Sequence, residues 1–376
     1  MNKQSDYIRR DPQLQADNGQ ASFSRDTLSR KDLRSVTDNS FKRNDCAACA
    51  MTIVDYSAWA LLFYIASAGF PLAVWGFAAC AESIFMARLF ILGHDVCHGS
   101  ILGGNRIRSV IGRLLFLPTL TPFSTWRIGH NSAHHGYSNL KGRDHVWTPM
   151  TLLEFRTSTL RRQLLERLYR SYCGQGVYYL VGLWWNELYF PKWARSSRRY
   201  TIDSLLVTLG GLGGAVVSYR VGAGSFRVTQ ASVDGVESII LACIVPFLLW
   251  NQLMGLVIYL QHTHPETRWF ADRKEWSFAK GQIESTVHAS LPFGLHHWLH
   301  NILEHTAHHV DVTIPYYGLK KTQLKLEAVL GNCVIRQQWN WKQFVSTTKV
   351  CKLFDYRKGV WTDFEGRPSV LEEVGK

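Results

Sequence analysis

Charged residues are sparse in this 376-residue chain. Asp, Glu, Lys and Arg make up 19% of it, against 46% hydrophobic and 13% aromatic residues. Such a composition excludes long disordered stretches outside the termini, and it excludes collagen-like and coiled-coil architectures. Cysteine motifs are equally scarce. Among eight cysteines only Cys46 and Cys49 form a CxxC, and no second pair completes a structural zinc site. Neither a four-cysteine cluster motif nor a CxxCH is present, so no built-in electron carrier is visible. The cysteines read as free thiols of a reducing compartment. The opening MNKQSDYIRRDPQLQADNGQ lacks the apolar core of a secretory signal, and its acids are foreign to a transit peptide.

What is present is cationic and segregated. Lys and Arg number 42 against 29 Asp and Glu, a net charge of +13. That excess points to an anionic partner: a lipid surface, nucleic acid or an acidic carrier protein. The apolar residues decide the class, because they are clustered. Two runs, about 53–72 and 74–93, meet near Pro71, and each is long enough to cross a hydrocarbon core. Glu82 and Arg88 lie inside the second, where a pairing directed to the bundle interior is expected. A third span is predicted at about 204–220, with Gly210, Gly211, Gly213 and Gly214 allowing close helix packing. A fourth is predicted at about 239–260. The stretch 114–124 (LLFLPTLTPFS) is too short to span and is broken by prolines, so it reads as re-entrant or interfacial. Residues 171–186, rich in Tyr and Trp, read as interfacial.

Basic residues crowd 141–200, among them Arg161, Arg162, Arg198 and Arg199, whereas the linker 221–236 holds only Arg227. The positive-inside rule then sets the N-terminus, residues 94–200 and everything after 260 in the cytoplasm. Each basic residue beside a membrane is worth about 1 kcal/mol towards anionic lipid, so no nucleic-acid partner is expected. The expected fold is an all-α, multi-pass membrane protein with about four transmembrane helices and a cytosolic helical cap. Its parts are a polar lead-in (1–50), a membrane domain (51–345) and a cytosolic tail (346–376).

Histidine is the outlier. Of 15 histidines, most fall in three tight groups. GHDVCHG holds His94 and His98, whose spacing of four puts both rings on one helical face. WRIGHNSAHHG holds His130, His134 and His135, and HNILEHTAHHVD holds His305, His308 and His309. The positive-inside argument sets all three groups on one side, just outside the spans. Eight imidazoles are too many for one ion, since a catalytic zinc keeps a position open among four. They imply two metals with nitrogen-rich shells, and imidazole suits zinc, copper, iron and nickel. Asp95, Asp144, Glu304 and Asp311 read as acceptors for the ring N–H groups rather than as ligands. Two redox metals beside lipid suggest oxygen activation and attack on an unactivated C–H bond. A transporter would bury its site at the midplane on broken helices.

These groups resemble the three histidine boxes (94–98, 130–135, 305–309) of the integral-membrane fatty-acid desaturases. The likeness is nearest to the delta-12 or omega-6 branch. RDHVWTP (143–149) after the second box, YLQHTHP (259–265) at the end of the last span, and STVH (285–288) ahead of HTAHH carry it. The resemblance implies two iron ions, dioxygen as oxidant and two electrons from an external donor of ferredoxin or cytochrome type. It implies an acyl-lipid or acyl-thioester substrate and a bilayer setting, and the positive-inside argument sets the site on the cytoplasmic face. It implies His94, His98, His130, His134, His135, His305, His308 and His309 as metal ligands, with one more from QHTHP. There His264 is preferred over His262. The second box departs from many delta-12 members in having three residues between its first two histidines. The first box, HDVCH, lacks the glycine common in that branch. His300 and Asn301 match a family His-Asn pair one residue out of register. His296, His297 and His300 read as interfacial, and His145 and His288 receive no role. Acyl hydroxylases, epoxygenases and acetylenases share this scaffold and are the same-class alternative. A non-catalytic membrane metal-binding or transport protein is the alternative of another class. The basic loop up to Arg198 and Arg199 is a candidate surface for an acidic acyl carrier or electron donor.

Overall fold

In the computed structural model, which describes residues 28–37, 41–194, 197–224 and 234–369, the apolar runs become four helices long and apolar enough to cross a membrane. A short leading helix, α1 (Arg30–Val36), is closed by a capping box between Ser29 and Asp32. α2 (Asp45–Ser67) begins where the Asn44 side chain accepts from the Ala47 N–H. The chain turns at Pro71 and returns as α3 (Leu72–His98), which packs along α2. α4 (Asn105–Phe116) presents Ile107, Val110 and Leu114 outward. α5 (Phe123–Ile128) runs into a π-helical turn, Gly129–His134. α6 (Leu152–Thr157) and α7 (Leu160–Tyr169) follow. α8 (Gln175–Val177) continues as a π-helix through Tyr178–Tyr189. The remaining long helices are α9 (Arg198–Gly224) and α10 (Gly235–His262). Pro246 cannot donate a backbone hydrogen bond, and α10 takes a π-turn at Ile240–Ile244 just ahead of it.

Three expected spans extend beyond their apolar runs. α3 continues to His98 and α10 to His262, so the first histidine box and the start of QHTHP are the last turns of long helices. The third span reaches from Arg198 to Gly224. Among its glycines, Gly210 and Gly211 lie against Leu117 and Leu120, whereas Gly213 and Gly214 face open space. The 171–186 stretch is not peripheral along its whole length. Tyr179, Leu183 and Trp184 are buried, and Gly255 of α10 lies so close to α8 that a Cβ would stand 2.2 Å from the Gln175 carbonyl oxygen.

Arg88 pairs with Asp55 of α2 (Nε–Oδ1 2.8 Å) rather than with Glu82, which is buried on its own helix. The second Asp55 oxygen accepts from His300 Nε2 at 2.9 Å. Three segments distant in sequence thus meet at one buried carboxylate, which is how an intramembrane charge is normally accommodated.

The remaining chain forms the cap: α11 (Phe278–Ile283), β1 (Val287–Ser290), α12 (His305–Val310), α13 (Tyr316–Leu330), β2 (Ile335–Gln338), α14 (Trp341–Val350), β3 (Leu353–Asp355) and β4 (Val360–Thr362). The cap is therefore not purely helical. β1 and β2 pair in parallel with Val287 opposite Ile335, and β3 and β4 pair antiparallel. The lead-in and the tail are also partly built in. α1 packs on α11, α12 and α13, with Leu33 in their shared core. Residues 346–369 fold back so that the Trp361 indole donates to the His264 carbonyl at 3.1 Å. Residues 1–27 and Arg227 lie outside the described residues.

The Gly255 contact yields a test. Gly255→Leu must push α8 away from α10 and is expected to cost about 1–3 kcal/mol. A lowered thermal midpoint in detergent, followed by tryptophan fluorescence, is the expected result. An unchanged midpoint would show that the close approach is dispensable.

Candidate metal centre

Helix ends and one π-turn deliver the histidines. Gly99, at φ +77°, ends α3 immediately after His98, and its N–H returns to the Asp95 and Val96 carbonyls. His94 and His98 project from that last turn with ring centroids 4.6 Å apart. The second box follows α5 into the π-turn, where the His135 N–H donates to the His130 carbonyl at 2.9 Å, five residues back. A π-turn aligns residues five apart instead of four. His130 and His135 therefore face each other, Nε2 to Nε2 at 3.0 Å, and His134 is turned elsewhere. In α12, His305 and His309 share a face and His308 takes another.

Two sets of rings result. His94, His98, His130, His135 and His308 form one, and His134, His262, His305 and His309 the other. Within each set the potential ligand atoms lie within 4.8 Å of one another. All eight box histidines are thus brought together. The ninth ring is His262, whose Nε2 stands 2.8 Å from His305 Nε2. His264 belongs to neither set: its Nδ1 accepts the Glu266 N–H at 3.2 Å.

The donor set fits metal ions. His98 Nε2 and His309 Nε2 are buried without a hydrogen-bond partner among the described residues. His135 Nε2 lies 3.0 Å from His130 Nε2 and 3.1 Å from His308 Nε2. Converging lone pairs in a dry site repel unless a cation lies between them. Burial, reinforced by neighbouring histidines, pushes His130, His135, His305, His308 and His309 well below the ordinary histidine range. These rings are therefore neutral, the form that binds metal.

Acceptors on the outer nitrogens fix the rings. His134 Nδ1 donates to both oxygens of Asp144 at 3.1 Å. Burial alone would raise the Asp144 carboxyl, but His134, His145 and the Val146 N–H hold it below the usual carboxylate value. His94 Nδ1 donates to Asp95 at 3.1 Å, and the other Asp95 oxygen takes the Tyr316 N–H at 2.8 Å. Glu304 and Asp311 do not serve the rings. Glu304 starts α12 with one oxygen buried and unpartnered, and burial pushes its carboxyl up to about 7. Asp311 is occupied by Thr313 and Thr37. Two acceptors belong to no histidine motif. Gln282 Oε1 accepts from His309 Nδ1 at 2.8 Å, and the Ser285 carbonyl accepts from His262 Nδ1 at 3.2 Å. Ser285 lies in the STVH phrase, but nothing in the sequence marks Gln282.

The other histidines have local roles. His296 meets Lys320, His297 meets Asn301, and His288 pairs with Glu327. His145 lines a cleft beside the first set. Phe90, Trp126, Tyr179, Leu183, Met254 and Val257 give the cleft apolar walls; His94, His130 and His305 reach it as well. An apolar cavity with a few convergent polar groups is the usual form of a small-molecule site.

The sequence profile of the fatty acid desaturase family matches residues 70–339. The chain is 27% identical over 271 residues to an sn-1 oleoyl-lipid 12-desaturase of Picosynechococcus, covering 71% of this chain and 73% of that protein. It is 26% identical over 344 residues to a chloroplastic omega-6 fatty acid desaturase of Spinacia oleracea, covering 90% and 72%. It is 29% identical over 256 residues to an sn-1 acyl-lipid omega-3 desaturase (ferredoxin) of Nostoc, covering 65% and 64%.

Asp144→Asn keeps the shape at His134 but removes the charge that fixes its tautomer. A loss of about 10–100-fold in metal affinity is expected. Titration of the apoprotein with Fe(II) or Co(II) under argon measures it, and unchanged affinity would remove Asp144 from the centre.

Proposed function

The chain belongs to the fatty acid desaturase family, and from that premise we propose a delta-12 (omega-6) acyl-lipid desaturase with two irons held by nine histidines. The family activity is the introduction of a double bond into an acyl chain. His94, His98, His130, His135 and His308 hold one iron, and His134, His262, His305 and His309 the other. His264 takes no part as a ligand. The sorting of nine clustered rings into two sets beside an apolar cleft is the observation that carries this reading. When bound, the metal pair supplies the means for O2, two electrons and two protons to convert one CH2–CH2 unit into CH=CH and two waters.

The protein's own part is to bind, orient and keep dry. The walls of Phe90, Trp126, Tyr179, Leu183, Met254 and Val257 match a methylene chain and bring it past His94, His130 and His305. Exclusion of water by such walls favours hydrogen removal over release of partly reduced oxygen. Asp95, Asp144, Gln282 and the Ser285 carbonyl hold the rings that must not rotate. The relatives named for acyl-lipid and oleoyl-lipid substrates support a glycerolipid carrier, and the one named for ferredoxin supports a ferredoxin-type donor. The basic stretch 141–200 supports a cytoplasmic position for the site.

Expression in a host that makes oleate but no dienes is expected to yield a diene with its new bond at position 12, located by mass spectrometry after derivatisation. A hydroxy, epoxy or alkynyl acid would move the protein to a sister activity. Purified protein is expected to carry two irons per chain. His262→Ala is expected to lower iron content and to reduce activity at least about a hundredfold, whereas His264→Ala keeps both irons. The reverse pattern would exchange the two assignments.

A further inference from the structure

Beside the second set of histidines lies an aromatic cluster that the site does not use. Trp276 and Phe270 are buried with Leu140, and Tyr137 and Phe278 pack against them. Four arginines from three stretches lie over these rings. Arg30 stands 4.8 Å from the Phe278 ring centre, and Arg143 stands 5.5 Å from that of Tyr137. Arg268 lies over Phe270 at 5.4 Å, and Arg273 over Trp276 at 4.4 Å. Arg268 is paired with Glu284. Arg143 and Arg273 are exposed and have no carboxylate partner among the described residues. Of the acids on the same loop, Asp272 is turned to the Lys274 N–H.

The cluster is also wired inward. The Trp276 indole N–H donates to the Ser138 carbonyl at 2.9 Å. The Ser138 hydroxyl stands 3.2 Å from His309 Nδ1 and donates to the His134 carbonyl at 2.8 Å. Ser138 therefore connects the aromatic cluster with two histidines of the second set, through one hydrogen bond to its carbonyl and two contacts of its hydroxyl. Electronic coupling falls off more slowly through bonds and hydrogen bonds than through empty space.

We propose that the arginine-covered aromatic cluster around Tyr137 and Trp276 is the docking site of an acidic one-electron carrier protein, with entry through Trp276 and Ser138. This rests on the desaturase reading above, which requires an external electron source. Each docked carrier is oxidised by one electron. Two dockings supply the two electrons that join O2, two protons and the two substrate hydrogens in forming two waters. The cations steer the carrier, and the exposed guanidinium groups stay ordered because they lie on rings. Arg198 and Arg199 lie elsewhere, at the start of a helix that packs on α2 and α5.

The test uses the full-length protein in nanodiscs of uncharged lipid, titrated with a labelled acidic [2Fe–2S] ferredoxin at several ionic strengths. Arg143→Glu together with Arg273→Glu is expected to weaken binding about tenfold and to flatten its salt dependence. Arg198→Glu with Arg199→Glu is expected to leave binding unchanged. Equal binding by the first variant, or a loss confined to the second, overturns the docking site. Trp276→Phe keeps the ring but not the N–H. It is expected to bind normally and to oxidise reduced ferredoxin about tenfold more slowly, with unchanged reduction by dithionite. Equal rates with ferredoxin overturn the entry route. One turnover after dithionite reduction and admission of O2 separates the two readings. A double variant that forms product there, yet fails to bind ferredoxin, supports docking. A wild-type chain that forms no product there overturns the desaturase reading instead.

Discussion

Nine imidazole rings, seven of them buried and His98 and His130 half-buried, lie within a few ångströms of one another and set the terms for the rest of the molecule. Their inner nitrogens converge, and two of them, His98 Nε2 and His309 Nε2, have no hydrogen-bond partner among the described residues. In a protein interior such an arrangement is unfavourable by itself, because each unpaired polar atom loses its water without compensation. Ions among the rings reverse that sign, since converging lone pairs are then ligands. Outer nitrogens that are pinned resist ring rotation, although the Nδ1 atoms of His135, His305 and His308 have no hydrogen-bond partner among the described residues. Asp144 pins His134, Gln282 pins His309, Asp95 pins His94 and the Ser285 carbonyl pins His262.

The long helices serve the same requirement. α3 and α10 end at His98 and His262, so two ring-bearing turns are rooted in spans rather than in loops. Asp55 ties α2 to α3 through Arg88 and to the cap through His300. A cap fastened to two spans at a buried carboxylate has little freedom to drift, which suits a site whose two sets draw ligands from both. The apolar cleft then lies between span and cap, lined by α3, α10 and the π-helical stretch after α8. Under the proposed function, flexible acyl methylenes would meet there a wall that is itself fixed.

On its other side the centre meets an aromatic cluster with arginines over its rings. On the proposed roles, substrate and electrons would have separate approaches, one apolar and one cationic. The separation follows from chemistry, because an acyl chain requires dry walls and an acidic carrier requires a solvated, charged surface. The Ser138 hydroxyl lies within hydrogen-bond distance of both His309 and Gln282.

The sequence by itself determined the class of the protein. Apolar runs have the length of a bilayer, and box histidines lie where such runs stop. Spacings of four put His94 with His98, and His305 with His309, on single helical faces. Those features depend only on local periodicity. The tertiary structure decided how the rings are shared. A π-turn shifts the second box by one residue, joins His130 to His135 and sends His134 to the other set. That shift is a one-residue slip in backbone hydrogen bonding, which spacing cannot reveal. The choice of His262 over His264 in the ring set is of the same kind. Both stand in one motif, but α10 is still helical at His262 and has ended at Thr263, so only the former projects with the helix into the centre. Gln282, the Asp55–Arg88 pair and the folding of residues 346–369 onto the cap were likewise hidden. Each joins residues far apart in the chain, and a single sequence records no such contact.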